Sequence, residues 1–229
     1  KIGYVGAYPY AEVKSGYTAF FLGVRSVCKE ATMEVQFTGS WYDEAKEKEA
    51  ATLLIGRGCK LISQHADSMG APTACESAGV PNVSYNGSTL DACPNTFIVS
   101  SRINWVPYMK YMIECVRDNK AIDTDWCKGI NEGAVELTPI NEKVAAPGTA
   151  EAIKAAEEQF KAGTLHVFDT STFTVDGKTL TSYMADVDTD EKFTPDTEVI
   201  SNGYFHESEK RSAPYFDINI DGITLLNEG

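Results

Sequence analysis

A histidine with polar neighbours follows an apolar run in the stretch LISQHADSMGAP, residues 61–72. His65 and Asp67 are residue types that bind metals or exchange protons. Gln64 and Ser68 beside them are hydrogen-bonding groups typical of a binding cleft. No second histidine or cysteine lies at ligand spacing, which disfavours a metal site. Three interpretations stay open: a structural histidine at a strand end, a catalytic group, or the wall of a binding cleft.

Signatures of catalysis are scarce elsewhere in the chain. It has three histidines (His65, His166 and His206) and lacks a G-x-S-x-G elbow, a Walker loop and a G-x-G-x-x-G turn opening a helix. Asp43 and Asp67 would form an acid–base pair only if their loops converge. We therefore assign no catalytic residue, metal or cofactor, and predict a binding function.

Charge and hydropathy narrow the choice of partner. The 229 residues are 43% hydrophobic, enough for a large core, and carry a net charge of −13 with a pI near 4.7. Such acidity argues against nucleic acid or direct adsorption to an anionic membrane. No window of the sequence is apolar enough to predict a membrane span, and the segment that starts at Lys1 is not a signal peptide. If the protein is exported, we expect its targeting segment to lie outside this chain.

Six cysteines occur at irregular spacings without a C-x-x-C pair, which disfavours a zinc site. We expect most of them to be small buried hydrophobic residues, although one disulfide stays possible. They are Cys28, Cys59, Cys75, Cys93, Cys115 and Cys127.

Strand-like and helix-like patterns alternate through the first 120 residues, which predicts βαβ units and a parallel sheet. The predicted strands are 2–6, 33–37, 61–63, 81–85 and 96–100. The predicted helices are 13–27, a segment around 50–55 ended by Gly56 and Gly58, a third ending at Gly79, and 105–116 capped by Asn104.

The pattern changes after Asp118. One or two strands with turns precede a helix over 149–162 that Gly163 ends, and the remaining sequence is β-like and rich in turns. Asp176-Gly177 and Asp221-Gly222 are hairpin signals. We therefore divide the chain into an α/β lobe, 1–121, and a second part, 122–229. The second part comprises a crossover segment, the helix and a β-rich tail that packs on or beside the lobe.

Polar and aromatic residues follow each predicted strand, and ligands of such sheets bind at the carboxyl ends of the strands. Aromatic faces with amides, hydroxyls and acids suit a planar polar heterocycle or a sugar. The predicted ligand-binding residues are Tyr10, Glu12, Trp41, Tyr42, Asp43, Gln64, His65, Asp67, Ser68, Asn86 and Trp105.

Several of these residues also have structural interpretations. Asp43 has the position of a helix N-cap, a role compatible with ligand contact. Glu12 stabilises the first turn of a helix through the helix dipole whether or not it touches ligand. Trp41 is as consistent with packing as with stacking on a ligand.

Four segments resemble, in order and spacing, the second lobe of the basic membrane protein family of ABC-transporter substrate-binding lipoproteins. They are KIGYVGAYPYAEVKSGYTAFFLGVRSV, TGSWYDEAKEKEAATLLIGRGCKLISQHADS, GVPNVSYNGS and VSSRINWVPYMKY. The resemblance runs from Lys1 to about Gly163, and the tail after Thr164 is similar to a continuation found in some members. It implies a type I periplasmic-binding fold with Rossmann-like lobes, here with a β-rich C-terminal extension.

The resemblance also implies a function. It suggests a solute-binding component outside the cytoplasmic membrane that delivers a purine base or nucleoside to the permease of an ABC importer. Relatives carry a lysine in a Ser-x-x-Lys motif where this chain has Ser101-Arg102-Ile103-Asn104, which favours a base over a nucleoside.

Members of the family also carry most of a first lobe ahead of the point where this chain starts. We therefore expect an incomplete form whose open surface binds a second copy. The alternatives are a hydrolase of glycosidic bonds to bases, built on Asp43, His65 and Asp67, and a sensor or interaction module without a transport role.

Overall fold

The protein is described here from a computed structural model, over residues 1–188, 192 and 194–227. Its main strands are β1 (Ile2–Gly6), β2 (Met33–Phe37), β3 (Ile62–His65), β4 (Asn82–Tyr85), β5 (Phe97–Ile103) and β6 (Val135–Leu137). Shorter strands follow in the tail: β7 (Met184–Ala185), β8 (Thr197–Glu198), β9 (Ile200–Ser201), β10 (Tyr204–Phe205) and β11 (Ile223–Leu225). The helices are α1 (Ala11–Val27), α2 (Glu44–Gly56), α3 (Gly70–Ala78), α4 (Val106–Arg117) and α5 (Thr149–Ala162).

A seven-stranded sheet with the order β11-β2-β1-β3-β4-β5-β6 organises the fold. Every neighbouring pair is parallel except β5 and β6, which are antiparallel. The order reverses at β1, between β2 and β3, and this is where ligands bind in doubly wound sheets. The predicted α/β class with a largely parallel sheet is confirmed. The division of the chain at residue 121 stays a prediction.

Alternation along β1 separates two hydrophobic cores. Ile2 and Tyr4 face a core shared with α1 and with buried residues of the C-terminal tail, including Phe205 and Phe216. Val5 faces the second core, shared with α2 and α3. The sheet is therefore covered on both faces, as a parallel sheet requires.

Helices α2 and α3 pack closely because Gly70, at the start of α3, has no side chain. A Cβ on Gly70 would lie 2.3 Å from the backbone oxygen of Glu44 and 2.9 Å from the Cβ of Glu47. This contact holds the amino ends of both helices, and hence the loops that lead into them, against each other.

The predicted helices are confirmed, although α2 starts at Glu44, well before the apolar pattern at 50–55. Some strand boundaries were wrong. β3 continues through His65 and β5 through Ile103, so Gln64, His65 and Ser101–Ile103 lie in strands rather than loops. β5 extends because its last three residues pair with β6. A Gly79 in the left-handed conformation ends α3 as predicted.

The two hairpin signals have different outcomes. Asp176 and Gly177 both have positive φ and form a tight turn flanked by an antiparallel bridge between Val175 and Lys178, as predicted. The hairpin around Asp221-Gly222 was wrong, because the strand after it, β11, joins the main sheet parallel to β2.

All six cysteines are free thiols, so the possible disulfide is not formed. Cys59, Cys75, Cys93 and Cys115 are buried, which confirms the prediction for most of the six. Cys28 is exposed because α1 ends just before it.

Candidate functional site

Five rings form a continuous aromatic cluster at the carboxyl ends of β1 to β4: Tyr8, Tyr10, Trp41, His65 and Tyr85. Tyr8 and Tyr10 stack at 5.1 Å between centroids, and Tyr8 lies edge-on to Trp41 at 5.5 Å. Trp41 is 6.5 Å from His65, whose ring lies 4.4 Å from Tyr85. Tyr10 is 56% exposed and Trp41 36%, whereas His65 is only 7% exposed. The cluster thus offers exposed aromatic surface above a buried imidazole.

His65 is held at the floor of this cluster by α1. A Cβ on Gly16 would lie only 2.7 Å from Nδ1 of His65, so the glycine makes room for the ring. Nε2 is buried and has no hydrogen-bond partner, and it lies 3.7 Å from Oε1 of Glu12. Burial lowers the pKa of His65 to about 4, so the imidazole is neutral at physiological pH. A neutral ring nitrogen without a partner is free to bond to a ligand.

Two carboxylates lie near the phenol of Tyr85. Burial, with the negative charges of Glu12 and Asp67, raises the pKa of Tyr85 to about 12. Desolvation also raises the pKa of Asp67, although its side chain reaches the surface. The backbone N–H of Asp67 donates to the Trp41 carbonyl at 2.9 Å, which links the loops after β2 and β3. The cluster therefore has an acidic rim.

The buried carboxylate of Glu47 holds the loops after β2 and β3 together through hydrogen bonds. Glu47, on α2, accepts hydrogen bonds from the backbone N–H groups of Asp43 and Ser68, each at 3.2 Å. Burial raises the pKa of Glu47. It fixes the loop that carries Trp41 relative to the loop that carries Asp67.

Three of the predicted ligand-binding residues use their polar atoms inside the protein. Asp43 Oδ1 caps α2 by accepting from the Lys46 N–H at 3.0 Å, which confirms its N-cap role. Ser68 Oγ accepts from the N–H of Gly70 at 3.0 Å. Buried Gln64 accepts from the side-chain amide of Asn82 at 3.2 Å. Their proposed contact with a ligand stays a prediction.

The remaining predicted residues lie at different distances from the cluster. Asn86, directly after Tyr85, is exposed and has a positive φ of 60°. Tyr42 is 67% exposed beside Trp41. Trp105 belongs to a separate aromatic group at the start of α4, where it contacts Tyr108 at 6.3 Å. Because β5 extends to Ile103 and α4 starts at Val106, Trp105 lies in this second group rather than in the five-ring cluster.

The predicted ligand-binding residues leave out four contributors to the site: Tyr8, Tyr85, Gly16 and Glu47. Tyr85 was assigned only to a strand, yet its position as the last residue of β4 was a usable signal. Gly16 and Glu47 lie within helices, and nothing in their local sequence indicates that one seats His65 and the other braces two loops.

Metal and catalytic interpretations find little support in the geometry. Within the described part of the chain, no three His, Cys, Asp or Glu side chains converge as metal ligands would. The Asp43 carboxylate caps a helix, and a histidine with a pKa of about 4 is a weak base at neutral pH.

The fold is shared with solved structures of solute-binding proteins. It superposes on an ABC transporter solute-binding protein from Conexibacter woesei with a TM-score of 0.59 at 24% identity, over 72% of this chain and 56% of that one. A solute-binding protein from Aeropyrum pernix gives a TM-score of 0.59 at 15% identity, covering 73% of this chain and 57% of that one.

The chain belongs to the Bmp family of PnrA-like ABC transporter substrate-binding proteins, whose sequence model matches residues 1–166. This confirms the resemblance and places the chain in a family of binding proteins rather than enzymes. Among the residues described, no helix is long and apolar enough to cross a membrane.

Two curated relatives differ in the ligand that their names give. A putative ABC transporter glucose-binding protein of Haloferax volcanii is 32% identical over 173 residues, 75% of this chain and 44% of that protein. A purine-binding protein of Brucella abortus is 30% identical over 160 residues, 68% of this chain and 46% of that protein. The chain thus spans about half the length of the curated relatives it matches.

Proposed function

We propose that the protein recognises a purine base or nucleoside for an ABC importer, outside the cytoplasmic membrane, and delivers it to the membrane permease. The observation that carries this proposal is the aromatic cluster, with exposed Tyr10 and Trp41 above the unpartnered Nε2 of His65. Aromatic faces stack on a planar heterocycle, while the buried nitrogen and the acidic rim bond to its edge.

The polar groups around the cluster favour a heterocycle over a sugar. Asp43, Gln64 and Ser68 already use side-chain oxygens in bonds within the protein. Glu12 and Asp67, with the uncharged His65, supply the hydrogen-bonding groups nearest the rings. A purine presents two large faces and a short polar edge, whereas a sugar needs polar partners around its whole ring.

The exposed face of α4 supports the further proposal that copies of this chain associate. Val106, Ile113 and Val116 are each more than two-thirds exposed. Such apolar area on a helix marks an interaction surface. Analytical ultracentrifugation over a range of concentrations tests this, and a monomer throughout contradicts it.

Calorimetric titration with adenine, guanine, adenosine, guanosine and glucose tests the ligand. We expect binding of at least one purine, and Trp41→Ala to weaken it about tenfold or more by removing a stacking face. Trp126→Ala is the matched control, because this tryptophan lies against Tyr108 in the second aromatic group and is not one of the predicted ligand-binding residues. We expect it to leave affinity unchanged.

Two outcomes overturn the proposal. Binding of glucose without any purine assigns the site to a sugar. Release of free base from adenosine or guanosine during incubation, followed by chromatography, assigns the protein to the hydrolases.

A further inference from the structure

A large groove lies between α1 and α5, away from the aromatic cluster. We call it the α1–α5 groove; its volume is about 880 Å³. Its walls include Leu22 on α1, Ile153, Ala156 and Phe160 on α5, and Leu165 in the segment that follows. A volume of this size lies within the range of small-molecule sites.

The groove exists because α5 does not pack closely on α1. None of the residues of α5 is fully buried, although its apolar side chains point along one wall. On the opposite wall, a Cβ built on Gly23 would meet no atom within 4 Å. The middle of the groove is therefore open apolar space rather than a packed core.

Charge at the groove is opposite to that of the whole protein. None of the described residues that line the groove is Asp or Glu. Two cations line it: Arg25, in the last turn of α1, and Lys29, just after that helix ends. The chain as a whole, by contrast, has a net charge of −13. An apolar space with cations at one end complements a molecule that has an apolar tail and an anionic head.

Contacts within the protein hold Arg25 at this end of the groove. Its guanidinium lies 4.7 Å over the ring of Phe21 and donates to the backbone carbonyls of Ala31, at 3.2 Å, and Asp221, at 3.5 Å. The carboxylate of Asp221 accepts from the Thr174 hydroxyl and the Gly177 N–H, and these bonds, with a smaller contribution from the charge of Arg25, lower its pKa. Arg25 is therefore partly neutralised, and exposed Lys29 is the more accessible cation for an anionic head.

The groove is separate from the candidate purine site. Both contain residues of α1, but Glu12 and Gly23 are about 16 Å apart along the helix at 1.5 Å per residue. A ligand in the groove therefore leaves the aromatic cluster free.

We propose that the α1–α5 groove binds an anionic amphiphile of the fatty-acid type, with its tail between the two helices and its carboxylate near Arg25 and Lys29. This is a second ligand site, distinct from the proposed transport function.

Calorimetric titration with dodecanoate, below its micelle concentration, tests the proposal on the full chain. Dodecanol and butyrate are the comparison ligands, because one lacks the charge and the other the tail. We expect saturable one-to-one binding of dodecanoate, at least tenfold tighter than either. No binding of dodecanoate, or equal affinity for dodecanoate and dodecanol, overturns the proposal.

Variants locate the ligand. Gly23→Leu and Ala156→Phe fill the groove from opposite walls, and each should reduce dodecanoate affinity at least tenfold. Lys29→Gln should weaken dodecanoate severalfold without affecting dodecanol. Val27→Leu, on an 85% exposed position of α1 outside the groove lining, is the control and should change nothing.

Circular dichroism confirms that each variant is folded, and two filling variants keep the test decisive if one is unstable. Unchanged dodecanoate affinity in a folded filling variant places the ligand elsewhere and contradicts the assignment.

Discussion

Oε1 of Glu12 lies 3.7 Å from Nε2 of His65, close enough for an electrostatic interaction but beyond a hydrogen bond. The histidine is buried and the glutamate exposed, and the rings of Tyr10 and Trp41 nearby are exposed too. A ligand atom that bonds to both groups would satisfy the buried nitrogen. We therefore expect the polar edge of a ligand to bind between these two groups.

The lowered pKa of His65 predicts a loss of stability in acid. Between pH 6.5 and its folded-state pKa of about 4, the unfolded chain binds a proton on His65 and the folded protein does not. The free energy of unfolding therefore falls as the pH drops through this window, by at most about 3 kcal/mol from this group. Urea denaturation at several pH values should show a smaller fall for His65→Gln. Glu12→Gln is the control for the neighbouring carboxylate, and equal slopes in wild type and His65→Gln would contradict the assignment.

Replacing Glu47 should loosen both loops that it braces. Glu47→Ala leaves the buried N–H of Ser68 and the N–H of Asp43 without their acceptor, at a cost of about 2 kcal/mol in unfolding free energy. We also expect weaker purine binding, since Trp41 and Asp67 lie on those loops. Chemical denaturation and calorimetry measure both effects. Exposed Glu49 on the same helix is the control, and Glu49→Ala should stay within about 0.5 kcal/mol.

Two glycines of α1 should respond in opposite directions to alanine. Gly16→Ala forces a Cβ to within 2.7 Å of the His65 ring, and we expect about 1–3 kcal/mol of destabilisation with weaker ligand binding. Gly23→Ala meets open space and should stabilise the helix by about 0.5–1 kcal/mol. Urea denaturation compares the two. A neutral Gly16→Ala would mean that His65 moves without cost.

The ion-pair network of Glu34 with Arg57 and Lys1 should make stability depend on pH in a lower range. Glu34 accepts from Nε of Arg57 at 2.7 Å and from Nζ of Lys1 at 2.8 Å, and these bonds lower its pKa to about 2. Its stabilisation is present above pH 4.5 and is lost as the pH falls toward 2. We expect about 1–2 kcal/mol, because solvent screens the partly exposed Arg57 and Lys1. Acid titration of Glu34→Gln should lack this component, and an unchanged acid profile would count against it.

The order of strands and helices could be predicted because local patterns specify it. Alternation between β-prone runs and helical periodicity identified β1 to β5 and α1 to α5. The end of β5 could not be predicted, because Ser101–Ile103 are polar or exposed and become strand only through pairing with β6. The pairing of β11 was predicted wrongly for a similar reason: its partner, β2, is remote in sequence.

The sequence indicated where the candidate site lies. It did not indicate which polar side chains there are free for a ligand and which bond within the protein. Tyr10, Trp41 and His65 converge in the structure, as expected for residues at the ends of neighbouring strands, and their contact with a ligand stays a prediction. Gln64 looks like a free amide in the sequence, but Asn82 on the neighbouring strand takes its oxygen. Such competition between protein and ligand for one polar atom depends on three-dimensional contacts.

The pairing of β11 with β2 also has a consequence for how the chain folds during synthesis. The N–H of Phe37 donates to Oδ1 of Asn227 at 2.8 Å across 190 residues of chain. Closing so long a loop is entropically costly and slow, so we expect this edge to pair late in folding. Until then β2 has an unpaired edge, where a nascent chain is open to association with other strands.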